Sequence, residues 1–302
     1  MPNTVRYRIT HQTRYAYSQP VAICQNQLRM MPRSMSRRIS GVDCHWVKTK
    51  IEPLPDVVNE HTDYFGNRVV SFAIESLHRR LVVTVRSEVS VSQRENVSDR
   101  DSLAWEQISN QVISCQDGRW FEAQEYLFDS PRIRRDDSFT KYAKQSFTNN
   151  RPIIEAALDL TKRVHDDFKY DITATDVHTT TEQAFALRAG VCQDFAHVQI
   201  ACLRSIGLPA RYVSGYLRTV PKPDQPRMVG ADESHAWVSV YAGEQLGWID
   251  LDPTNACQSD TNHIPICVGR DYNDVSPMRG VVLGGGATKL HVSVDVEPID
   301  LS

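Results

Sequence analysis

The chain has 302 residues, of which 41% are apolar and 24% charged, with a formal net charge of −3 at pH 7. At roughly 100–200 residues per domain, this length predicts two domains. The slightly acidic balance argues against non-specific binding to nucleic acid or to an anionic membrane surface. No apolar run approaches the ~18 residues of a membrane span, and the first residues lack the pattern of an export signal. We therefore expect a cytoplasmic protein.

The cysteine pattern argues against a disulfide framework or a zinc site. There are seven cysteines, an odd number, and no C-x-x-C pair occurs. Most of these thiols are expected to be small buried apolar groups. We expect no metal and no cofactor.

The first 91 residues have the two-residue period of strands. The stretches "VRYRI", "TRYAYS" and "LVVTVRSEVSV" alternate, and a Gly-Asn turn signal precedes the β-rich run in "DYFGNRVVSFAI". Together they predict an antiparallel β-sandwich. The basic cluster in "RMMPRSMSRRIS" indicates a solvated loop, with a partner site as the alternative.

The segment from 92 to 150 is polar and separates two patterns. "SQRENVSDRDS" is typical of a linker, and "SPRIRRDDS" is typical of a domain boundary. We predict an N-terminal domain over 1–140 and a second domain over 141–302.

Helical periodicity begins after this boundary. "RPIIEAALDLTKRVHDDFKY" predicts a helix with Pro152 in its first turn. For the next helix, Thr179 with Glu182 predicts a capping box at the start, and Gly190 predicts the end. A further helix begins at Cys192 and ends before Gly207. Its predicted buried stripe contains Phe195, Val198, Cys202 and Ile206.

The remaining segments alternate as strands. They are "RYVSGYLR", "HAWVSVYA", "GWIDLDPTN" and "KLHVSVDVEP". Helices followed by strands predict an α+β second domain and not a doubly wound sheet.

Cys192 lies where a helix N-terminus can act on a thiol. The first turn leaves backbone N–H groups unpaired, and the helix dipole adds partial positive charge. This field stabilises a thiolate, and the same N–H groups can hold an oxyanion when sulfur attacks a carbonyl. Asp194 in this turn is expected to cap the helix, and His197 to have a structural role.

A thiol nucleophile needs a base, and His235 is the best placed histidine. It opens a strand, and a short turn leads from that strand to the next, which carries Asp250 and Asp252 on one face. Asp252 lies at the strand end beside Pro253, where a polar site is easier to build. A carboxylate on the far ring nitrogen would fix the tautomer of His235. Spacing alone leaves open an inert buried thiol, a core histidine and a turn-forming aspartate.

Four separated motifs, "GVCQDFAH", "LPARYVSGY", "SHAWVSVY" and "GWIDLDPTN", resemble the core of the transglutaminase-like superfamily. That superfamily includes transglutaminases and microbial proteins proposed to be cysteine proteases. The N-terminal half, with "HQTRYAYSQPV" and "YFGNRVVSF", resembles the β-rich region of its bacterial members. The resemblance implies a papain-like core of helices packed on an antiparallel sheet or barrel. It places the nucleophile on Cys192, the histidine on His235 and the aspartate on Asp252.

The resemblance also implies the reaction, which is thiol-dependent hydrolysis or acyl transfer at amide bonds through a thioester. A protease or amidase acting on a peptide or protein amide is expected, with γ-glutamyl cross-linking and a non-catalytic peptide-binding module as alternatives. No tryptophan aligns with the oxyanion donor of transglutaminases, so Tyr170 is a candidate. Gln193 and Trp237 are candidates for the cleft, with solvent-facing and core roles as the alternatives. The oligomeric state is not predictable.

Overall fold

The computed structural model describes residues 3–37, 40–93, 102–115, 118, 120–176, 178–219 and 232–299. The strands are β1 Asn3–Met31, β2 Met35–Ser36, β3 Ser40–Glu52, β4 Val57–Thr62, β5 Arg68–Ile74, β6 His78–Gln93, β7 Lys169–Tyr170, β8 Ala189–Gly190, β9 Ala210–Leu217, β10 Glu233–Tyr241, β11 Trp248–Asp252, β12 Cys257–Gln258, β13 His263–Gly269, β14 Met278–Gly284 and β15 Thr288–Ile299. The α-helices are α1 Trp105–Ser114, α2 Phe121–Gln124, α3 Asp137–Ala143, α4 Ile153–Asp167, α5 Thr181–Leu187, α6 Cys192–Ser205 and α7 Tyr272–Val275. Within the described ranges, none of these helices has the length and apolar content needed to cross a membrane.

The N-terminal strands form an antiparallel sheet built around β1. The hydrogen-bonded order is β2-β3-β6-β1-β5-β4. The first half of β1 pairs with β6 and its second half pairs with β5, with a register shift between Ala16 and Val21. One long strand therefore belongs to both halves of a curled sheet. The predicted α+β class with an antiparallel N-terminal region is confirmed.

The last two strands also belong to this N-terminal sheet. β15 pairs with β1 from Arg6↔Ile299 to Tyr17↔Thr288, and β14 pairs with the second half of β1. The proposed division into 1–140 and 141–302 stays a prediction, but strands from both sides of it share one sheet. Backbone pairing between the two ends of the chain is a long-range feature that the local two-residue period does not reveal.

A second antiparallel sheet carries the C-terminal half, in the order β12-β11-β10-β9-β13. Helix α6 packs on its strands β9 and β10, with α3, α4 and α5 against the other sides of the helix. The main apolar core runs through this layer and continues into the N-terminal sheet at Tyr7, Ile9 and Val89. α6 is therefore fixed between a sheet and a layer of helices.

The helix boundaries agree with the sequence, with two differences. α4 begins directly after Pro152, and α6 begins at Cys192. The predicted capping box at Thr179 and Glu182 is wrong by one residue, because Thr180 and Gln183 exchange the two hydrogen bonds. The same helix ends at Arg188, which takes a left-handed conformation, and not at Gly190.

Candidate active site

Cys192 is the first residue of α6 and is partly exposed. Asp194, one turn into the helix, accepts hydrogen bonds from the Val191 backbone N–H at 2.9 Å and from the Thr175 hydroxyl at 2.7 Å. A Cβ at Gly190 would lie 2.4 Å from an Asp194 carboxylate oxygen, so glycine is needed for this approach. Gly190 and Asp194 together fix the helix start that presents the thiol, and the predicted capping role of Asp194 is seen in the structure.

His235 lies between the thiol and a buried carboxylate. Its Nε2 is 2.7 Å from Oδ2 of Asp252, and the Cys192 side chain is its other hydrogen-bond partner. Since Nε2 faces Asp252, Nδ1 is the nitrogen left for the thiol. Burial alone lowers the pKa of the imidazole, but the hydrogen bonds with Asp252 and Cys192 outweigh it and raise that pKa to about 9.

Asp252 has no solvent exposure, and both of its oxygens are held by donors. Oδ1 accepts from the backbone N–H groups of Thr254 and Asn255, at 2.9 and 3.2 Å. Oδ2 accepts from His235 and from the Asn255 side-chain amide at 2.7 Å. Burial raises the pKa of this carboxyl, but its hydrogen bonds, first that from His235, hold the pKa well below the usual range. A fully ionised, fixed carboxylate is the result.

Asp250 has a different set of partners from Asp252. Its carboxylate forms an ion pair with Arg37 and accepts from the Trp237 indole N–H at 3.1 Å. The choice of Asp252 over Asp250 therefore agrees with the geometry around His235. The interpretation of the basic cluster as a solvated loop is wrong at Arg37, because its side chain is only 10% exposed and reaches the second sheet.

Trp237 is fully buried and lies beside the imidazole, with the ring centroids of Trp237 and His235 6.0 Å apart. Gly215 makes room for it, because a Cβ there would lie 2.5 Å from the indole ring. Trp237 is thus a core residue that also lies against the His235 ring.

The other candidates lie on the two sides of Cys192. Tyr170 is 48% exposed on β7, where its backbone pairs with Gly190, two residues before the thiol. Gln193 is partly buried in the first turn of α6. His197 is buried in α6, accepts from the Tyr272 backbone N–H at 3.2 Å, and has a pKa lowered to about 3 by burial. These contacts give His197 a structural place, as expected.

The sequence analysis did not single out His263, the first residue of β13. Its Nε2 is 3.0 Å from Oδ2 of Asp252, the same oxygen that binds His235. It is 5% exposed, and "HIPICVG" is apolar enough to be taken for a plain core strand. The available signal was a polar ring at the start of a buried strand, 11 residues after Asp252.

His235, Asp252 and His263 are also the group of described side chains that could hold a metal ion, with ligand atoms within 4.8 Å of one another. The two Nε2–Oδ2 distances, 2.7 and 3.0 Å, are hydrogen-bond lengths. A tetrahedral Zn²⁺ with bonds of about 2.0–2.2 Å would hold these atoms roughly 3.3 Å apart and replace both ring protons. The geometry fits a hydrogen-bonded carboxylate better than a metal centre.

The comparisons with known proteins agree with this architecture. Residues 7–90 match the bacterial transglutaminase-like N-terminal region, and residues 140–253 match the transglutaminase-like superfamily. An uncharacterized protein of Mycobacterium tuberculosis, Rv2569c, is 36% identical over 99% of this chain and 95% of its own length. One of Mycobacterium leprae, ML0607, is 31% identical over 96% of this chain and 98% of its own length.

Two further relatives carry more specific descriptions. A protein-glutamine gamma-glutamyltransferase of Pseudomonas aeruginosa is 26% identical over 71% of this chain and 32% of its own length. A crystal structure from Cytophaga hutchinsonii, of a protein proposed to be a cysteine protease, superposes with a TM-score of 0.77. That match is 20% identical in sequence and covers 99% of this chain and 92% of the other. The chain belongs to the transglutaminase-like superfamily.

Proposed function

We propose that the protein is a thiol-dependent enzyme that hydrolyses amide bonds in a peptide or protein through a thioester on Cys192. The observation that supports this most directly is the chain of side-chain contacts from the Cys192 thiol to His235 and from His235 to Asp252. Thiol, imidazole and carboxylate in this order are the elements of a nucleophile, a base and a group that orients the base.

In the proposed reaction, Nδ1 of His235 takes up the thiol proton before the attack, in keeping with the raised pKa of the ring, and the Cys192 sulfur attacks the carbonyl carbon of the amide. The imidazolium then gives this proton to the leaving amine as the C–N bond breaks. A water molecule, deprotonated by the same imidazole, attacks the thioester and releases the acid and the free thiol. Asp252 keeps Nε2 protonated throughout, so Nδ1 is the nitrogen that exchanges the proton.

The carbonyl oxygen becomes negative during the attack and needs donors. The first N–H groups of α6, including that of Cys192, have no acceptor within the helix and are close to the reacting sulfur. Tyr170, held on β7 next to Gly190, is the proposed second donor. Tyr170→Phe tests this role, because loss of one such donor lowers kcat by about 10²–10³-fold.

Water is the acceptor that we favour because the residue Cys192 is partly exposed in the described structure. Transfer to an amine is the second candidate, and it is supported by the 26% identity to a protein-glutamine gamma-glutamyltransferase. Peptide-library capture of acylated Cys192 by mass spectrometry, with and without a primary amine, separates the two. Added amine should leave the product mixture largely acid, whereas a predominant amide product would favour the cross-linking reaction.

Selective labelling tests the catalytic proposal itself. Burial raises the thiol pKa of Cys24, Cys44, Cys202 and Cys267, in the last case to about 12. Cys192 should therefore react with iodoacetamide near pH 6 far faster than the other thiols, and His235→Ala should slow it. Cys192→Ser is the matched control for assigning the label. Uniformly slow labelling would contradict the enzyme and favour a peptide-binding module.

We also propose a cytoplasmic location and a peptide or protein amide as the partner. Fractionation of cells with an antibody to the protein would test the first. Acyl groups identified on Cys192 in the capture experiment would test the second.

A further inference from the structure

We propose that His263 is a positioning residue of the proposed reaction, which holds the Asp252 carboxylate by donating from Nε2 to Oδ2. This inference rests on the proposed function, because it assigns to His263 the task of fixing the group that orients His235. It extends the site from three side chains to a line that runs Cys192, His235, Asp252 and His263.

The direction of this hydrogen bond does not depend on the charge of His263. The ionised Asp252 carboxylate only accepts, so Nε2 of His263 at 3.0 Å must carry the proton. Nδ1 lies 3.2 Å from both the backbone N–H and a carboxylate oxygen of Asp260. A neutral ring can accept there from the N–H, and a cationic ring can donate to the carboxylate. Asp260 thus anchors the far side of the ring in either state.

The position of His263 is fixed by backbone structure as well. It begins β13, where it pairs with Leu217 of β9, and β9 in turn pairs with the His235 strand, β10. The Trp237 indole meets the ring edge-on, with centroids 5.4 Å apart. The ring therefore cannot turn away from Asp252 without displacing a fully buried tryptophan.

The hydrogen bond from His263 to Asp252 is important for the proposed reaction because Asp252 must present one oxygen to His235 at a constant angle. Oδ2 receives three donors, from His235, His263 and Asn255, and Oδ1 is held by two backbone N–H groups. Of the side chains on Oδ2, His263 alone comes from a strand on the other side of the sheet, beyond β9 and β10. Removing it leaves the carboxylate held only from the His235 strand and from its own turn.

His263 also contributes charge to its surroundings. The titratable and charged groups near the ring are Asp252 on β11, His235 on β10, Cys257 on β12, Asp260 in the preceding loop, and the Arg37–Asp250 pair that lines the same small cavity. Burial lowers the pKa of His263, but hydrogen bonds with Asp252, Asp260 and Cys257 outweigh it and raise that pKa to about 11. The ring is then a cation whose centroid is 6.3 Å from that of His235. A like charge at this distance opposes protonation of His235.

The experiment compares three substitutions of His263 in the full chain. The amide nitrogen of His263→Gln reaches the position of Nε2 and can donate to Asp252. The shorter His263→Asn places its nitrogen near Nδ1 and reaches Asp260 instead, while His263→Leu has no donor. His11→Leu is the control, because His11 is also buried with both ring nitrogens bonded, Nδ1 to Tyr216 of β9 and Nε2 to Thr13 of β1.

Two readouts are measured, the pH profile of Cys192 labelling by iodoacetamide and the NMR titration of the His235 ring. We expect His263→Gln to keep the maximal labelling rate within about threefold, and His263→Asn and His263→Leu to lose about tenfold. All three remove the cation, and His263→Gln also keeps the hydrogen bond to Asp252, so the pKa of His235 should rise by about one unit in that variant. His11→Leu should change neither quantity.

The outcomes are distinct. Equal rate losses in the Gln, Asn and Leu variants, or unchanged rates in folded Asn and Leu variants, would overturn the positioning role of His263. If His263→Leu does not fold, the comparison of Gln with Asn still decides. A wild-type protein whose Cys192 labels no faster than Cys44, Cys115 or Cys257 would instead overturn the proposed function.

Discussion

Replacing Asp252 by asparagine removes one acceptor where the structure uses two. In the native site Oδ1 accepts from the backbone N–H groups of Thr254 and Asn255, and Oδ2 accepts from His235 and His263. An asparagine can turn its oxygen toward only one of these sets. If the amide nitrogen faces His235, the imidazole must accept at Nε2 and carry its proton on Nδ1. It can then no longer take the thiol proton.

The size of the effect follows from two contributions. His235 has a pKa of about 9 in the structure against an ordinary ~6.5, so at pH 7.5 its protonated fraction would fall from ~97% to ~9% on full loss of the shift. The full shift corresponds to about 3 kcal/mol, shared between Asp252 and Cys192. The wrong tautomer adds to this, and the same change in a Ser-His-Asp triad lowers kcat by about 10⁴-fold. We expect Asp252→Asn to lower turnover by about 10³–10⁴-fold and Cys192 labelling at pH 7.5 by at least about tenfold.

The assay is a time course of Cys192 labelling followed by mass spectrometry, beside turnover of an acyl donor identified by capture. Asp250→Asn is the matched control, since it removes a buried carboxylate two residues away that binds Arg37 and Trp237 instead. Circular dichroism confirms that both variants are folded. Near-native labelling and turnover in Asp252→Asn, with a large loss in Asp250→Asn, would refute the assignment of the carboxylate.

Three further predictions concern pH and packing. The alkaline limb of kcat/KM should lie near pH 9, because His235 must be protonated to release the amine and its pKa in the free protein is about 9; a limb near pH 6.5 would contradict this. The raised pKa of His235 contributes stability that is fully present below about pH 6.5 and is lost as pH rises through about 9. The urea midpoint of unfolding should therefore fall between these pH values, and the fall should be smaller in Asp252→Asn. Gly215→Ala should lower the free energy of unfolding, measured with urea, by about 1–3 kcal/mol. The reason is that the new Cβ would lie 2.3 Å from the Ile264 carbonyl oxygen and 2.5 Å from the Trp237 ring. An unchanged urea midpoint would contradict the tight contact.

The sequence predicted the strands well because alternation is local, and it missed features that depend on distant pairing. The runs that became β6, β10 and β11 show the two-residue period directly. Nothing in β15 itself indicates that it pairs with β1, nearly 300 residues away along the chain. Which strand pairs with the edge of a sheet depends on which backbone groups the other strands leave unpaired. A short stretch of sequence does not contain that information.

Helix α6 shows a similar limit. All four residues of its predicted stripe are buried, but so are Asp194, His197 and Arg204 on other faces and Gln199 beside Phe195. The structure satisfies these polar groups one by one, for example Gln199 with the Thr161 hydroxyl at 2.8 Å. An amphipathic pattern reports the side that must be buried, and it does not exclude burial of polar groups that find partners.

The candidate site likewise contains residues that the sequence could indicate and one that it could not. Cys192, His235 and Asp252 lie at or near the ends of elements and carry motif signals, so the sequence could propose them, and in the structure His235 interacts with both the Asp252 carboxylate and the Cys192 side chain. His263 could not be proposed in this way, because its proposed role depends on β13 pairing with β9 and not on a local motif.

The pairing of the C-terminal strands with β1 has a consequence for the site. Asp232, which directly precedes β10, accepts from the Val296 backbone N–H on β15 and from that of Thr219 after β9. The strand that carries His235 is thereby tied at its start to the N-terminal sheet. The imidazole position thus depends on contacts from both halves of the chain, because β15 is held by β1 along twelve paired residues. The two predicted domains are consequently coupled at the base of the candidate active site, and the N-terminal sheet is part of what positions His235.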